Sequence, residues 1–235
     1  MDLITTMSGW EFLVRYAHFL AGVCWIGVLW YFNFIQTPFF GSELGGQAKS
    51  AMTRGLVPNA LWWFRWGAMF TFLSGILLIG FKMGAGIGVG DGYMTRIFTG
   101  ALMGTFMWAN VWFVIWPAQQ VVIANAETVA GGGEANPAAA AAAGRAGMAS
   151  RTNTLFSIPM LFFMGSASHL PTFNNGTNDA VYWLVAGALI LFAEAQALIG
   201  PGAPTQKPLT SVSGTIHAGL GLTVLLYIAG VAINS

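Results

Sequence analysis

Apolar runs alternate along this chain with short polar stretches. A helix needs about 20 predominantly apolar residues to cross the hydrocarbon core of a bilayer. Six segments approach that length, near residues 10–34, 59–81, 96–116, 152–169, 180–199 and 212–233. The pattern predicts an all-α, polytopic transmembrane bundle in a single integral membrane domain. The first run ends at Gln36, Thr37 and Pro38, and the third stops at Pro117. The fourth is short and carries Pro159, which removes a backbone hydrogen bond and predicts a kink. The connection 118–150 contains GGGEANPAAAAAAGRAG. It reads as a solvent-exposed flexible loop, although its alanine run could form a surface helix. A polar turn is expected at Pro171 to Asp179, and a Gly-Pro hinge at Gly200 to Pro208.

Composition agrees. The 235 residues are 56% hydrophobic and 7% charged, where soluble domains carry about 25% charged residues. Trp62, Trp63, Arg65 and Trp66 open the second run as an interfacial cluster. A net charge of +1 without a basic patch gives no sign of nucleic-acid binding. The single cysteine, Cys24, has no internal disulfide partner. No CxxCH motif is present, so c-type haem cannot attach covalently within this chain. The N-terminus opens with Asp2 and lacks the basic region of a secretory signal. Lys49, Arg54, Arg145, Arg151 and Lys207 fall in one set of connections, and Lys82 and Arg96 in the other. The positive-inside rule then places both termini in the periplasm, and the partner of the chain is the lipid bilayer itself.

Polar residues at membrane depth are the candidates for chemistry, because each needs a partner there. His18 lies in the first run, His169 ends the fourth, and His217 enters the sixth. His18 and His169 fall at similar depth, as do Glu194 and His217. The first pair suits axial ligation of b-type haem, with His217 as a substitute or additional ligand. Gly22, Gly165 and Gly221 lie four residues from His18, His169 and His217, where a porphyrin could approach. Glu194 reads as a supporting hydrogen-bond partner of His217 or as a proton relay. The plainer readings are an interhelical hydrogen bond for His18, an interfacial position for His169 and a Glu194–His217 pair that only satisfies itself. Asn110 reads as an interhelical hydrogen bond, and Gly100, Ala101, Gly104 and Thr105 as a close helix contact. Glu11 and Arg15 are spaced as an i,i+4 ion pair.

Three blocks, HFLAGVCWIGVLWYFNF, GALMGTFMWANVWFVIWPAQQ and RTNTLFSIPMLFFMGSASHLP, resemble successive signatures of the membrane domain of the PuuD-type urate oxidase (urate hydroxylase) family. The resemblance implies a bacterial inner-membrane protein whose fuller relatives pass electrons through an appended cytochrome c domain, which this chain lacks. A separate cytochrome c is then an expected partner. His18 and His169 match family histidines, whereas Phe98 and Thr152 stand where the family pattern has histidines. The first block is also similar to histidine-bearing first helices of the HemJ and CopD-like groups. The leading expectation is a redox module holding haem b. The alternatives are a cofactor-free accessory subunit of a larger respiratory or photosynthetic complex, and a small-solute transporter.

Overall fold

The computed structural model describes residues 2–170 and 179–234. Apart from Asp179, the expected turn at 171–179 lies outside the described residues. After a single turn at Asp2–Thr5, six long helices follow: α1 Met7–Phe40, α2 Glu43–Gly84, α3 Gly92–Ala130, α4 Ala139–His169, α5 Asp179–Leu198 and α6 Val212–Asn234. All but α4 are long and apolar enough to cross a membrane, which fits a multi-pass membrane protein.

The helices outrun the apolar runs at one end of the bundle. At about 1.5 Å per residue, the 42 residues of α2 extend for about 63 Å, twice the thickness of a bilayer core. Helix α2 passes straight through Pro58. The segment 118–150, expected as a flexible loop, is largely helical. Residues 118–130 continue α3, Ala139 opens α4, and the irregular stretch is confined to 131–138. Alanine is the strongest helix former, so the run from Ala138 to Ala143 starts a helix where its glycine neighbours suggested slack. The Gly-Pro hinge is likewise built rather than loose. Pro204–Thr210 form a 3-10 turn. Buried Gln206 accepts from the N–H groups of Gly202 and Ala203 and donates to the Gln196 carbonyl.

Helix α4 is the axis of the bundle and packs against α1, α3, α5, α6 and the Pro204–Thr210 turn. All six residues from Thr152 to Ser157 are buried, so every side of the helix is covered there. A helix shielded from lipid on all sides can carry polar residues that a lipid-facing helix cannot, which explains why α4 is less apolar than its neighbours. Its C-terminal carbonyls are capped from α3: buried Arg96 donates through Nη1 to Ser166 O and Leu170 O, at 3.0 and 2.8 Å. Small residues set the closest approaches. A Cβ on Gly219 of α6 would lie 2.7 Å from Ile158 Cδ1 and 2.8 Å from Leu155 O. Gly100 and Gly104 face Met160 and Met164 as the small-residue run predicts. At the same end of the bundle as the Arg96 cap, Glu11 pairs with Arg15 and also with Lys82 Nζ at 2.8 Å, which ties α1 to the end of α2.

Two π turns interrupt the apolar helices, at Tyr31–Gln36 in α1 and at Asn110–Ile115 in α3. Each is followed within two residues by a proline, Pro38 or Pro117, and each carries a buried asparagine. A π turn inserts a residue into the ladder and rotates the side chains after it; such turns recur at functional sites. The Thr37 hydroxyl donates to Phe32 O at 2.7 Å, satisfying a carbonyl beside the first interruption.

Candidate functional site

Three helices meet in a buried polar cluster. Asn110, at the first position of the π turn in α3, donates from Nδ2 to Asn153 Oδ1 of α4 at 2.9 Å and to Glu194 Oε2 of α5 at 3.1 Å. Asn153 donates in turn to Met107 O at 2.9 Å. Asn110 and Asn153 are 1% and 0% exposed and Glu194 6%, so this is a carboxyl group held inside the bundle by amides. Thr152, which precedes Asn153 on α4, is also buried and donates to Met148 O of its own helix. The interhelical role of Asn110 is legible in the sequence. Its partner Asn153 is a residue that sequence reasoning missed, although an asparagine in an apolar helix is itself the signal.

Glu194 therefore finds its partner in Asn110, and His217 turns elsewhere. The His217 ring is exposed and donates from Nδ1 to Ser213 O of its own helix at 2.8 Å. Glu194 and His217 do sit near the ends of neighbouring antiparallel helices, as their depth suggested. Their angular positions separate them: the buried stripe of α6 runs through Thr215, Gly219, Leu222 and Leu226, and His217 stands off that stripe. His169 is also exposed and donates from Nδ1 to Gly165 O at 2.8 Å. Its Nδ1 partner is on α4, so this hydrogen bond does not join it to His18.

His18 is the one histidine of the three that a second helix pins. Its Nδ1 lies 3.0 Å from Ser74 Oγ of α2. The Ser74 hydroxyl donates its hydrogen to the Phe70 carbonyl, so it accepts from His18 Nδ1–H. The ring edge lies against Gly75, where a Cβ would stand 3.3 Å from His18 Cε1. Glycine at 75 thus gives the imidazole its seat. Of the glycines expected to admit a porphyrin, Gly22 faces Thr71, while Gly165 and Gly221 have nothing near them.

Haem, which the family resemblance implies, can be tested against this donor set. In all three histidines Nδ1 faces a hydrogen-bond partner, Ser74 Oγ for His18 and a backbone carbonyl for the other two; a metal-bound imidazole is held in the same way, with its other nitrogen on the metal. His18 fits best, since it alone is fixed from a neighbouring helix. Among the described residues no group of three or more His, Cys, Asp or Glu could hold a metal ion. A cavity of about 310 Å³ between α1, α2, α3 and α4 is not lined by histidine; its polar wall includes Asn33, Gln36, Lys49, Gln119, Ser150 and Arg151.

The described residues form an all-helical bundle whose five long apolar helices fit a multi-pass membrane protein. Residues 91–199, a little under half of the chain, match the family model described as urate oxidase N-terminal, and this part of the chain is similar to that family. The match contains Asn110, Asn153, Glu194 and His169, together with the second and third of the resembling blocks. His18 and the first block precede it. No match was found among curated proteins, and none among solved structures.

Proposed function

We propose that this urate-oxidase-like membrane protein is a redox module of the bacterial inner membrane. In this reading it spans the bilayer six times and holds b-type haem through Nε2 of His18. His169 and His217 are the further candidate ligands. The observation that carries the reading is the imidazole of His18, held from a second helix by Ser74 Oγ at Nδ1 and seated against Gly75. Bound there, haem supplies reversible one-electron transfer. The chain's own residues orient the imidazole through Ser74, seat it against Gly75 and surround it with apolar helix. Electrons would pass to or from a separate partner such as a cytochrome c.

The periplasmic placement of both termini rests on charge. Lys49, Arg54, Arg145, Arg151 and Lys207 gather at one end of the antiparallel bundle. At the other end, Arg96 is buried as a helix cap and Lys82 is paired with Glu11, which leaves that end less basic still.

The test is an absorption spectrum of the purified protein before and after dithionite, with a pyridine haemochrome assay on wild type and on His18→Ala, His169→Ala and His217→Ala. A Soret band lost in His18→Ala is the expected result; a wild-type protein without one removes the proposal. The exposure of His169 and His217, each bonded within its own helix, favours a second reading, a cofactor-free accessory subunit of a larger membrane complex. A haem-free chain that co-purifies with other subunits in mild detergent would establish it.

A further inference from the structure

Arg65 of α2 is a cation that the redox reading leaves unused. Its guanidinium carbon stands 3.9 Å from the centre of the Trp116 ring and 5.1 Å from that of Trp112, both on α3. These π faces hold the side chain in place but bring no full counter-charge. Among the described residues no carboxylate pairs with Arg65, and none of its N–H donors meets an acceptor. Other cations flanking the apolar runs are answered: Arg15 and Lys82 pair with Glu11, and Arg96 caps α4. Arg65 is half-buried; its Nε is sealed by the packing around it, whereas the two Nη groups remain open.

Depth says what these groups face. Lys82 and Tyr93, whose side chains meet at 5.8 Å, mark one level of the bundle. Arg65 lies 17 residues from Lys82 on α2, and Trp112 lies 19 from Tyr93 on α3, about 26 and 29 Å at 1.5 Å per residue. A hydrocarbon core is about 30 Å thick, so in a bilayer the guanidinium stands at headgroup depth on the face opposite Lys82. Trp62 and Trp63, 49% and 60% exposed, neighbour it there, as interfacial aromatics do. Towards the core the contact of α2 with α3 continues as rings: Trp66 meets Trp112 edge-on, and Phe72 stacks on Trp108 at 4.3 Å.

We infer that Arg65 and the Trp112–Trp116 platform form a binding site for one anionic phospholipid, its phosphodiester on the Nη fork and an acyl chain along the rings of α2 and α3. Guanidinium engages two phosphate oxygens with two parallel N–H bonds, and basic sites between membrane helices take such headgroups. A net-anionic lipid neutralises Arg65, whereas a zwitterionic one brings a cation of its own for which the site has no carboxylate. Under the orientation proposed above the lipid lies in the cytoplasmic leaflet. The site uses neither haem nor His18 and stands if the redox reading fails.

Native mass spectrometry of the full chain tests this, with the protein released from detergent containing equal amounts of phosphatidylglycerol and phosphatidylcholine of matched chains. Wild type should retain one phosphatidylglycerol with at least about fivefold preference, the scale of one cation at an anionic surface. Arg65→Gln should bring the preference to within about twofold, and Arg65→Lys, which keeps the charge but loses the fork, should fall between. Trp116→Leu leaves the arginine and removes its platform; it should weaken the preference by about two- to fivefold, the scale of a cation–π contact, and it keeps the test open if Arg65→Gln does not fold. Glycerol 3-phosphate in excess separates a lipid from a free phosphate and should displace nothing. The proposal is overturned if wild type retains the two lipids equally, or if either Arg65→Gln or Trp116→Leu keeps the wild-type preference. It is equally overturned if glycerol 3-phosphate displaces the lipid, which would make a soluble phosphate the occupant.

Discussion

Asn110→Leu is the sharpest perturbation of the buried cluster, because leucine is close to asparagine in shape but cannot donate. It removes the hydrogen bonds to Asn153 Oδ1 and Glu194 Oε2. Interhelical hydrogen bonds in membrane proteins average about 0.6 kcal/mol and reach about 1.7. The greater cost comes from what stays behind: acceptors on Asn153 and Glu194, both buried, each left unsatisfied at about 1–3 kcal/mol. With partial relaxation, the net loss should be about 2–4 kcal/mol. Equilibrium unfolding in mixed micelles with increasing SDS, followed by fluorescence of the ten tryptophans, measures it directly. The same cycle needs Glu194→Leu and the double variant. Glu194→Leu leaves Asn110 still bonded to Asn153 and should be the milder change. The double variant removes donor and acceptor together, so its loss should fall short of the sum by at least about 1 kcal/mol. Residues that do not interact add to within about 0.5 kcal/mol. Additivity at that level, or an Asn110→Leu loss below about 0.5 kcal/mol, would refute the cluster as the element joining α3, α4 and α5.

Other substitutions test other contacts. Gly219→Val puts a branched side chain where even a Cβ would lie 2.8 Å from the Leu155 carbonyl. Parting α4 from α6 should cost about 1–3 kcal/mol, as overpacking does, seen as a lower midpoint in the same SDS titration. Arg96→Met strips the cap from Ser166 O and Leu170 O and should destabilise by about 1–3 kcal/mol. Faster hydrogen exchange confined to the last turn of α4 would localise the effect, and unchanged exchange there would contradict it. Ser74→Ala releases Nδ1 of His18; if His18 binds haem, the midpoint potential should move while stoichiometry stays near wild type, and an unmoved potential would argue that Ser74 does not orient the ligand. Glu11→Gln breaks a half-exposed ion network at the bundle surface, of a kind worth about 0–1 kcal/mol, so its small effect should shrink in molar salt.

How far the sequence reaches depends on which physical property each feature expresses. Apolar length is written residue by residue, so the five apolar helices begin and end within a few residues of their runs where the chain leaves hydrocarbon sharply, as at Gly84 and Leu198. Where helix propensity carries a helix on beyond its apolar run, as at 118–130 and 139–150, hydropathy stops too early. Depth is also written in the sequence, since it follows from counting along a helix. Rotation about the axis is written only when one face differs from the other, and in a membrane helix lipid-facing and core-facing residues are both apolar. That is why Glu194 and His217 could be matched in depth and still point apart. The phase of α6 was nevertheless marked by another signal: Thr215, Gly219 and Thr223 recur every four residues, and all three are buried. Small and hydroxyl residues at that spacing face neighbouring helices because they permit close approach. A stripe of this kind fixes the inward face and puts His217, two residues from Gly219, on the other side. Close approach also separates the three histidines. His18 alone is seated against a glycine, Gly75, of a neighbouring helix, and a helix contributes a glycine where something must come close. The phase of a histidine relative to small residues on the facing helix therefore tells more about its role than its depth does.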